Sequence, residues 1–293
     1  MKVFVTGATG NIGSAVVTEL TAHSHQVIGL ARSAASAAKL SSFGASSVRG
    51  GLSDLDVVRA AAADADGVIH LAFSNDFSSP QTLAAGIAEE TAAIDAIGAS
   101  MVGSDKPLVV CSGTPGIPGR ASVETDPLLT EGPVGGRALT VTRTLALRNR
   151  GVRTSAVRLP RTVHQNGEGG FAGLLTQIAR SSGVSGYPGD GTQRWPAVHS
   201  ADAAALFRIA LEAAPAGSSW HAVADEGDQV GEIANVIGRR LGVPVQPVPV
   251  EAYGPIGAIF ALDQPASSLH TREKLGWEPT HPSLLEDLES IRP

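Results

Sequence analysis

Thr6-Gly7-Ala8-Thr9-Gly10-Asn11-Ile12-Gly13 is the stretch that decides the fold. It follows the β-branched run Val3–Thr6 and opens a helical stretch at Asn11–Ala22, so it reads as strand, tight turn and helix. Gly7 permits the turn, Gly10 lets the backbone approach a pyrophosphate, and Gly13 lets the helix pack close to the strand. The helix start adds amide donors and the positive end of its dipole. A bare GxxGxxG is a weak signal, and its place between strand and helix is what gives it force. The candidate phosphate-binding residues are therefore Gly7, Thr9, Gly10, Asn11, Ile12 and Gly13.

Outward from that turn, short apolar runs alternate with helical patterns. Gln26–Ala31, Ser46–Val48, Gly67–Leu71, Leu108–Cys111 and Arg153–Leu159 read as further strands. Ser33–Phe43, Leu55–Ala63, Thr82–Val102 and Gly136–Arg148 read as the helices between them. This rhythm predicts an α/β protein with a Rossmann-type, doubly wound parallel sheet. Beyond Leu159 the pattern changes to Gly, Arg and Pro-rich sequence, with helices expected at Phe171–Ser181, Ala203–Ala213 and Gly231–Leu241 and a strand at Ser219–Ala224. Residues 1–160 are expected to form the nucleotide-binding domain, completed by parts of 196–225, and residues 161–293 a smaller substrate-binding lobe.

Composition bounds the partners. The chain has 293 residues, 43% hydrophobic and 17% charged, which is ordinary for a soluble globular protein with a sizeable core. A net charge of −6 argues against a broad nucleic-acid surface. No run of about twenty apolar residues is present to span a bilayer, and the chain opens directly into a strand without a secretory leader. The single cysteine, Cys111, sits in an apolar strand and reads as a small hydrophobe. Isolated histidines give no metal-ligand spacing. A cytoplasmic protein with a small-molecule substrate is expected, with no nucleic acid, membrane or metal, and no feature sets its oligomeric state.

The end of the second strand points to one form of the dinucleotide. An acidic residue there would bind both ribose hydroxyls; this chain has Arg32, followed by Ser33. A guanidinium stacks on adenine and forks onto a 2′-phosphate, which favours NADP(H). Asp54, ahead of Leu55, suits either an adenine amine or the cap of the next helix. Leu71, Ala72 and Phe73 follow the fourth strand where it passes the cofactor riboses, while His70 reads as a locally bonded residue.

Taken together, Thr6–Gly13, Leu52–Leu55, His70–Phe73, Ser112-Gly113-Thr114, Val157–Pro160, Gly189-Asp190-Gly191 and Val198–Asp202 resemble the extended short-chain dehydrogenase/reductase family, in an atypical branch with epimerase/dehydratase-like naming. The resemblance implies catalysis by a Ser or Thr, a Tyr, and a Lys four residues after the Tyr. Thr114 matches the first. At the other two positions stand Arg137 and Val141, and no Tyr-xxx-Lys pair exists anywhere in the chain. An arginine stays protonated and a valine has no polar group, so the usual proton-transfer pair is absent.

Replacement chemistry is sought after the sixth strand. His164 and Tyr187 are candidate acids beside Thr114. Arg161, Arg194 and Trp195 are candidate substrate contacts, a pair of cations and a flat apolar surface. Ser200 and Asp202 precede a helix and read as its caps. The expected function is an NADP(H)-dependent reductase of a small carbonyl, imine or activated alkene with non-standard acid catalysis. The alternatives are a non-catalytic NADP(H) sensor and an NAD(P)-dependent epimerase or dehydratase.

Overall fold

A computed structural model of the chain describes residues 1–74, 79–132 and 134–292. Its first half contains β1 (Lys2–Thr6), α1 (Asn11–Ala22), β2 (Gln26–Ala31), α2 (Ala34–Ser42), β3 (Ser46–Arg49), α3 (Leu55–Asp64), β4 (Gly67–His70), α4 (Pro80–Met101), β5 (Pro107–Gly113), α5 (Gly135–Ala146) and β6 (Arg153–Leu159). The second half adds β7 (Thr162–His164), α6 (Gly170–Ser182), β8 (Ser185–Pro188), β9 (Arg194–His199), α7 (Ser200–Ala213), β10 (Ser218–His221), β11 (Asp225–Gln229), α8 (Val230–Leu241) and β12 (Val245–Val248). Three short helices follow, α9 (Gly257–Phe260), α10 (Leu269–Leu275) and α11 (Leu284–Leu288).

Seven strands form one sheet in the order β10-β6-β5-β4-β1-β2-β3. The pairs β1–β2, β1–β4, β2–β3 and β4–β5 are parallel. Strand order reverses between β1 and β4, which makes their carboxyl ends the topological switch point where such sheets bind ligands. The strands are short and apolar because helices cover them: Phe4, Val68, Leu108 and Val110 pack with Val58, Ile94, Ile97 and Val141 in a core with almost no exposed surface. Helix α4 starts earlier than its apolar pattern suggests, since Ser79 and Thr82 form a reciprocal capping box and Pro80 occupies the first turn.

Two compact units divide the chain: residues 1–112, 128–158 and 204–220, and residues 113–127, 159–203 and 221–293. The second unit has a three-stranded sheet, β11-β9-β7, and a parallel pair, β12-β8. Its core gathers Leu175, Trp195, Ile233, Ile237, Phe260 and Leu288. Strand β11, Asp-Glu-Gly-Asp-Gln, has no β-former. It exists because it pairs antiparallel with β9 across an irregularity between Asp225 and Asp228.

Helix α7 begins at Ser200, so neither proposed cap acts as one. Ser200 donates to Gln165 Oε1, and the ring of His199 accepts the amide of Ala201 instead. The buried Asp202 carboxylate accepts from the Thr280 amide (3.0 Å), the His281 amide (3.1 Å) and His281 Nδ1 (2.8 Å), which ties the C-terminal segment down. Asp202→Ala strands those donors and should lower stability by about 3 kcal/mol in urea unfolding. A loss below about 1 kcal/mol would mean that other contacts hold the segment.

Candidate functional site

The glycine turn is built by close backbone contacts. Gly7 has φ +67°, and a Cβ there would meet the Ala72 amide nitrogen at 2.7 Å. A Cβ on Gly13 would lie 2.0 Å from the Gly7 carbonyl oxygen, so α1 reaches this distance from β1 only with glycine. Gly10 differs: its Cβ would meet the same oxygen only at 3.4 Å, so the protein's own atoms leave that side open. Gly10 caps α1 without a side-chain bond, and the first turn carries no acidic residue. An exposed helix start with unanswered positive potential beside an open glycine fits a pyrophosphate.

Thr6 fixes the neighbouring strand end. Its hydroxyl accepts the amides of Leu71 and Ala72 (3.3 Å each) and meets His70 Nδ1 at 2.9 Å. The other ring nitrogen, Nε2, is buried without a hydrogen-bond partner. Burial pushes the His70 pKa down to about 3, with Arg137 adding to the shift, so the ring stays neutral.

Arg32 lies just beyond β2, exposed, and Ser33 caps α2 by accepting the Ser36 amide at 3.0 Å. Asp54 does not cap α3 with its side chain; its carboxylate takes the Gly51 amide at 2.7 Å. Leu55, at the start of α3, lines a cavity of about 610 Å³ with Leu52, Ser53, Ser74, Thr82 and Gly86, a size suited to part of a dinucleotide. Lys39, which the sequence pattern did not single out, donates to the Thr9 carbonyl at 2.9 Å and places a second cation by the glycine turn.

Arg137 on α5 forms a two-pronged ion pair with Glu90 on α4, at 2.8 and 2.7 Å, and its guanidinium lies 3.9 Å from the centre of the Phe73 ring. Glu90 is buried. The position that the resemblance gives to a tyrosine thus holds a fixed, charge-balanced cation. Cys111 is free, and burial pushes its thiol up to about 11, which leaves it unreactive.

The remaining candidates belong to the second unit. Thr114 is buried, and its hydroxyl has no partner. Arg161 donates to the Ile259 carbonyl (3.1 Å) and to Gln264 Oε1, and Gln264 Nε2 donates to the Thr114 carbonyl at 2.5 Å. Tyr187, on β8, is half-buried and its ring lies against Gly191. Arg194 is answered by Asp263, at 3.1 and 2.8 Å, on the wall of a cavity of about 470 Å³. Trp195 offers no free face: it is fully buried between Phe171 and Phe260. His164 is buried with Nδ1 on Asp287 at 3.0 Å, while His199 stacks on His281 at 4.6 Å. Both His164 and His281 are thereby held by carboxylates, which orients their rings before any substrate arrives.

Two measurements probe the first unit. Arg137→Met leaves Glu90 buried and unpaired and should cost about 3–5 kcal/mol in unfolding, while Arg137→Met with Glu90→Met should recover most of it. His70 titrates near 6.5 when unfolded and only at about 3 when folded, so the unfolded chain binds the extra proton between those values. Its contribution is complete above pH 6.5 and declines as pH falls, by up to about 1.4 kcal/mol per pH unit. His70→Asn should remove that slope from the wild-type stability profile between pH 6.5 and 5.

Comparisons with known proteins agree with this architecture. The NAD dependent epimerase/dehydratase family matches residues 3–223. An uncharacterized protein of Schizosaccharomyces pombe is 42% identical over 294 residues, 99% of each chain. One from Saccharomyces cerevisiae is 40% identical over 297 residues, covering 99% of this chain and 98% of the relative. Among solved structures, Pal from Bacillus thuringiensis superposes with TM-score 0.81 at 20% identity, over 99% of this chain and 97% of that one. The UDP-glucose-4-epimerase of Stenotrophomonas maltophila, solved with bound NAD and formylated UDP-arabinopyranose, gives TM-score 0.80 at 20% identity, over 99% and 96%. The extended short-chain dehydrogenase/reductase resemblance therefore holds, and the chain belongs to the NAD-dependent epimerase/dehydratase family.

Proposed function

We propose that the protein is an NADP(H)-dependent reductase of a small carbonyl, imine or activated alkene, working without the usual tyrosine and lysine. The observation that carries the cofactor half of this reading is the pairing of an uncapped α1 start with the exposed Arg32 at the end of β2. Amides of Asn11, Ile12 and Gly13 would hold the pyrophosphate, with Thr9 beside them. Arg32 and Ser33 would bind the 2′-phosphate, Asp54 and Leu55 would meet the adenine, and Leu71, Ala72 and Phe73 would border the riboses. When bound, the cofactor supplies a hydride. In this reading residues 1–160, completed by parts of 196–225, bind the nucleotide, residues 161–293 mainly serve the substrate, and the protein is cytoplasmic.

Arg137, paired to Glu90, neither gives nor accepts a proton at the tyrosine position. A carbonyl reduction ends with proton uptake, for which water, His164 or Tyr187 is the proposed source beside Thr114. Epimerases and dehydratases of this type usually depend on the same tyrosine and lysine, so their absence weakens that reading most. Orientation of two bound reactants lowers a barrier by roughly 7–11 kcal/mol, more than a general acid contributes, so loss of the tyrosine leaves hydride transfer feasible. A non-catalytic NADP(H) sensor is the second reading, and the ion pair at the tyrosine position is the observation that favours it.

Stopped-flow mixing of NADPH-loaded protein with a panel of carbonyls, imines and enones should oxidise the cofactor with at least one member. No oxidation across the panel would remove the reductase reading and leave the sensor. Arg32→Ala should lower the NADP⁺ over NAD⁺ affinity ratio about tenfold to a hundredfold in calorimetry, the loss of one charged hydrogen bond. An unchanged ratio would remove the role given to Arg32.

A further inference from the structure

Three arginines near the candidate residues differ in how their charge is answered. Arg137 is matched by the carboxylate of Glu90 and Arg194 by that of Asp263. Arg161 meets only neutral oxygens, the Ile259 carbonyl and the side-chain amide of Gln264, and no ion pair forms to it among the described residues. Its Nε is buried without a partner. The guanidinium rests over the Phe171 ring at 5.3 Å, so part of its surface is removed from water by an apolar group. Burial pushes its pKa down to about 10. A cation taken out of water without a counter-charge costs free energy, and natural structures rarely keep one unless something answers it.

Gln264 makes the arrangement specific. Its Oε1 accepts from Arg161 and its Nε2 donates to the Thr114 carbonyl, the one orientation of the amide that satisfies both contacts. A glutamate at this position would neutralise Arg161 but could not donate to the Thr114 carbonyl. Glutamine holds the guanidinium in place and leaves its charge unanswered. The same amide puts Thr114, whose buried hydroxyl has no partner, one side chain away from the cation.

We propose that Arg161 is an anion-binding group of the second unit, that Gln264 positions it without neutralising it, and that the substrate carries a carboxylate. A carboxylate accepts two hydrogen bonds in one plane, which matches a guanidinium edge, and Thr114 offers a further hydroxyl to the same ligand. The proposal names the substrate class of the reductase reading and rests on it. Anion binding needs no turnover, so it is tested separately from hydride transfer.

The experiment is calorimetry and thermal melting of the full chain with acetate, pyruvate and oxalate, and with acetamide as the neutral control, both with and without NADP⁺. Wild type should bind at least one carboxylate and not acetamide. Gln264→Glu supplies an internal carboxylate of nearly the same shape, at the loss of the bond to the Thr114 carbonyl; it should weaken carboxylate binding at least tenfold. Arg161→Met should lose binding to the same degree without a fall in melting temperature. Should Arg161→Met fail to fold, Gln264→Glu decides alone. Carboxylate binding that persists in Gln264→Glu, or wild type that binds none of the three acids, would overturn the proposal.

Discussion

The contact on which the structure depends is the backbone approach of α1 to the turn after β1. The Gly7 carbonyl oxygen stands where a Cβ of Gly13 would be, 2.0 Å from it. Because neither residue has a side chain, the helix start lies against the carboxyl end of the sheet. That placement aims the helix dipole at the switch point between β1 and β4. Thr6 then uses its hydroxyl to pin the amides of Leu71 and Ala72 next to the same turn. One pair of glycines and one threonine thus shape the turn that we propose as the phosphate site and the border of the riboses.

Around this frame the charges are handled in different ways, and the differences carry the chemistry. Glu90 is buried and fully engaged by Arg137, so the pair fixes α4 to α5 and offers no proton acceptor. Asp202 and Asp287 bind backbone amides and histidines of the C-terminal segment and the β7 region, tying sequence-distant segments together. Arg32 stands exposed, and Arg161 has only neutral partners. Arg32 and Arg161 stand on different units.

The nucleotide-binding part was legible because its signals are local. A strand, a glycine turn and a helix start lie within residues 2–13, and Arg32 directly follows the second strand. Strand alternation gave six strands of the large sheet within a residue or two. What escaped depends on distance in sequence: Glu90 and Arg137 are 47 positions apart, and Arg161 and Gln264 are 103 apart. Strand β11 escaped because pairing with β9, not side-chain preference, forms it. Trp195 misled in the opposite sense, since a large apolar ring next to Pro196 suits a ligand surface and a core equally well, and the core took it.

The most direct test is a crystal structure of the protein with NADP⁺. The pyrophosphate should lie on the amides that open α1, the 2′-phosphate within hydrogen-bond reach of Arg32, and the nicotinamide half should run past Leu71–Phe73. A dinucleotide whose 2′-phosphate points away from Arg32, or a glycine turn that holds no phosphate at all, would contradict that placement.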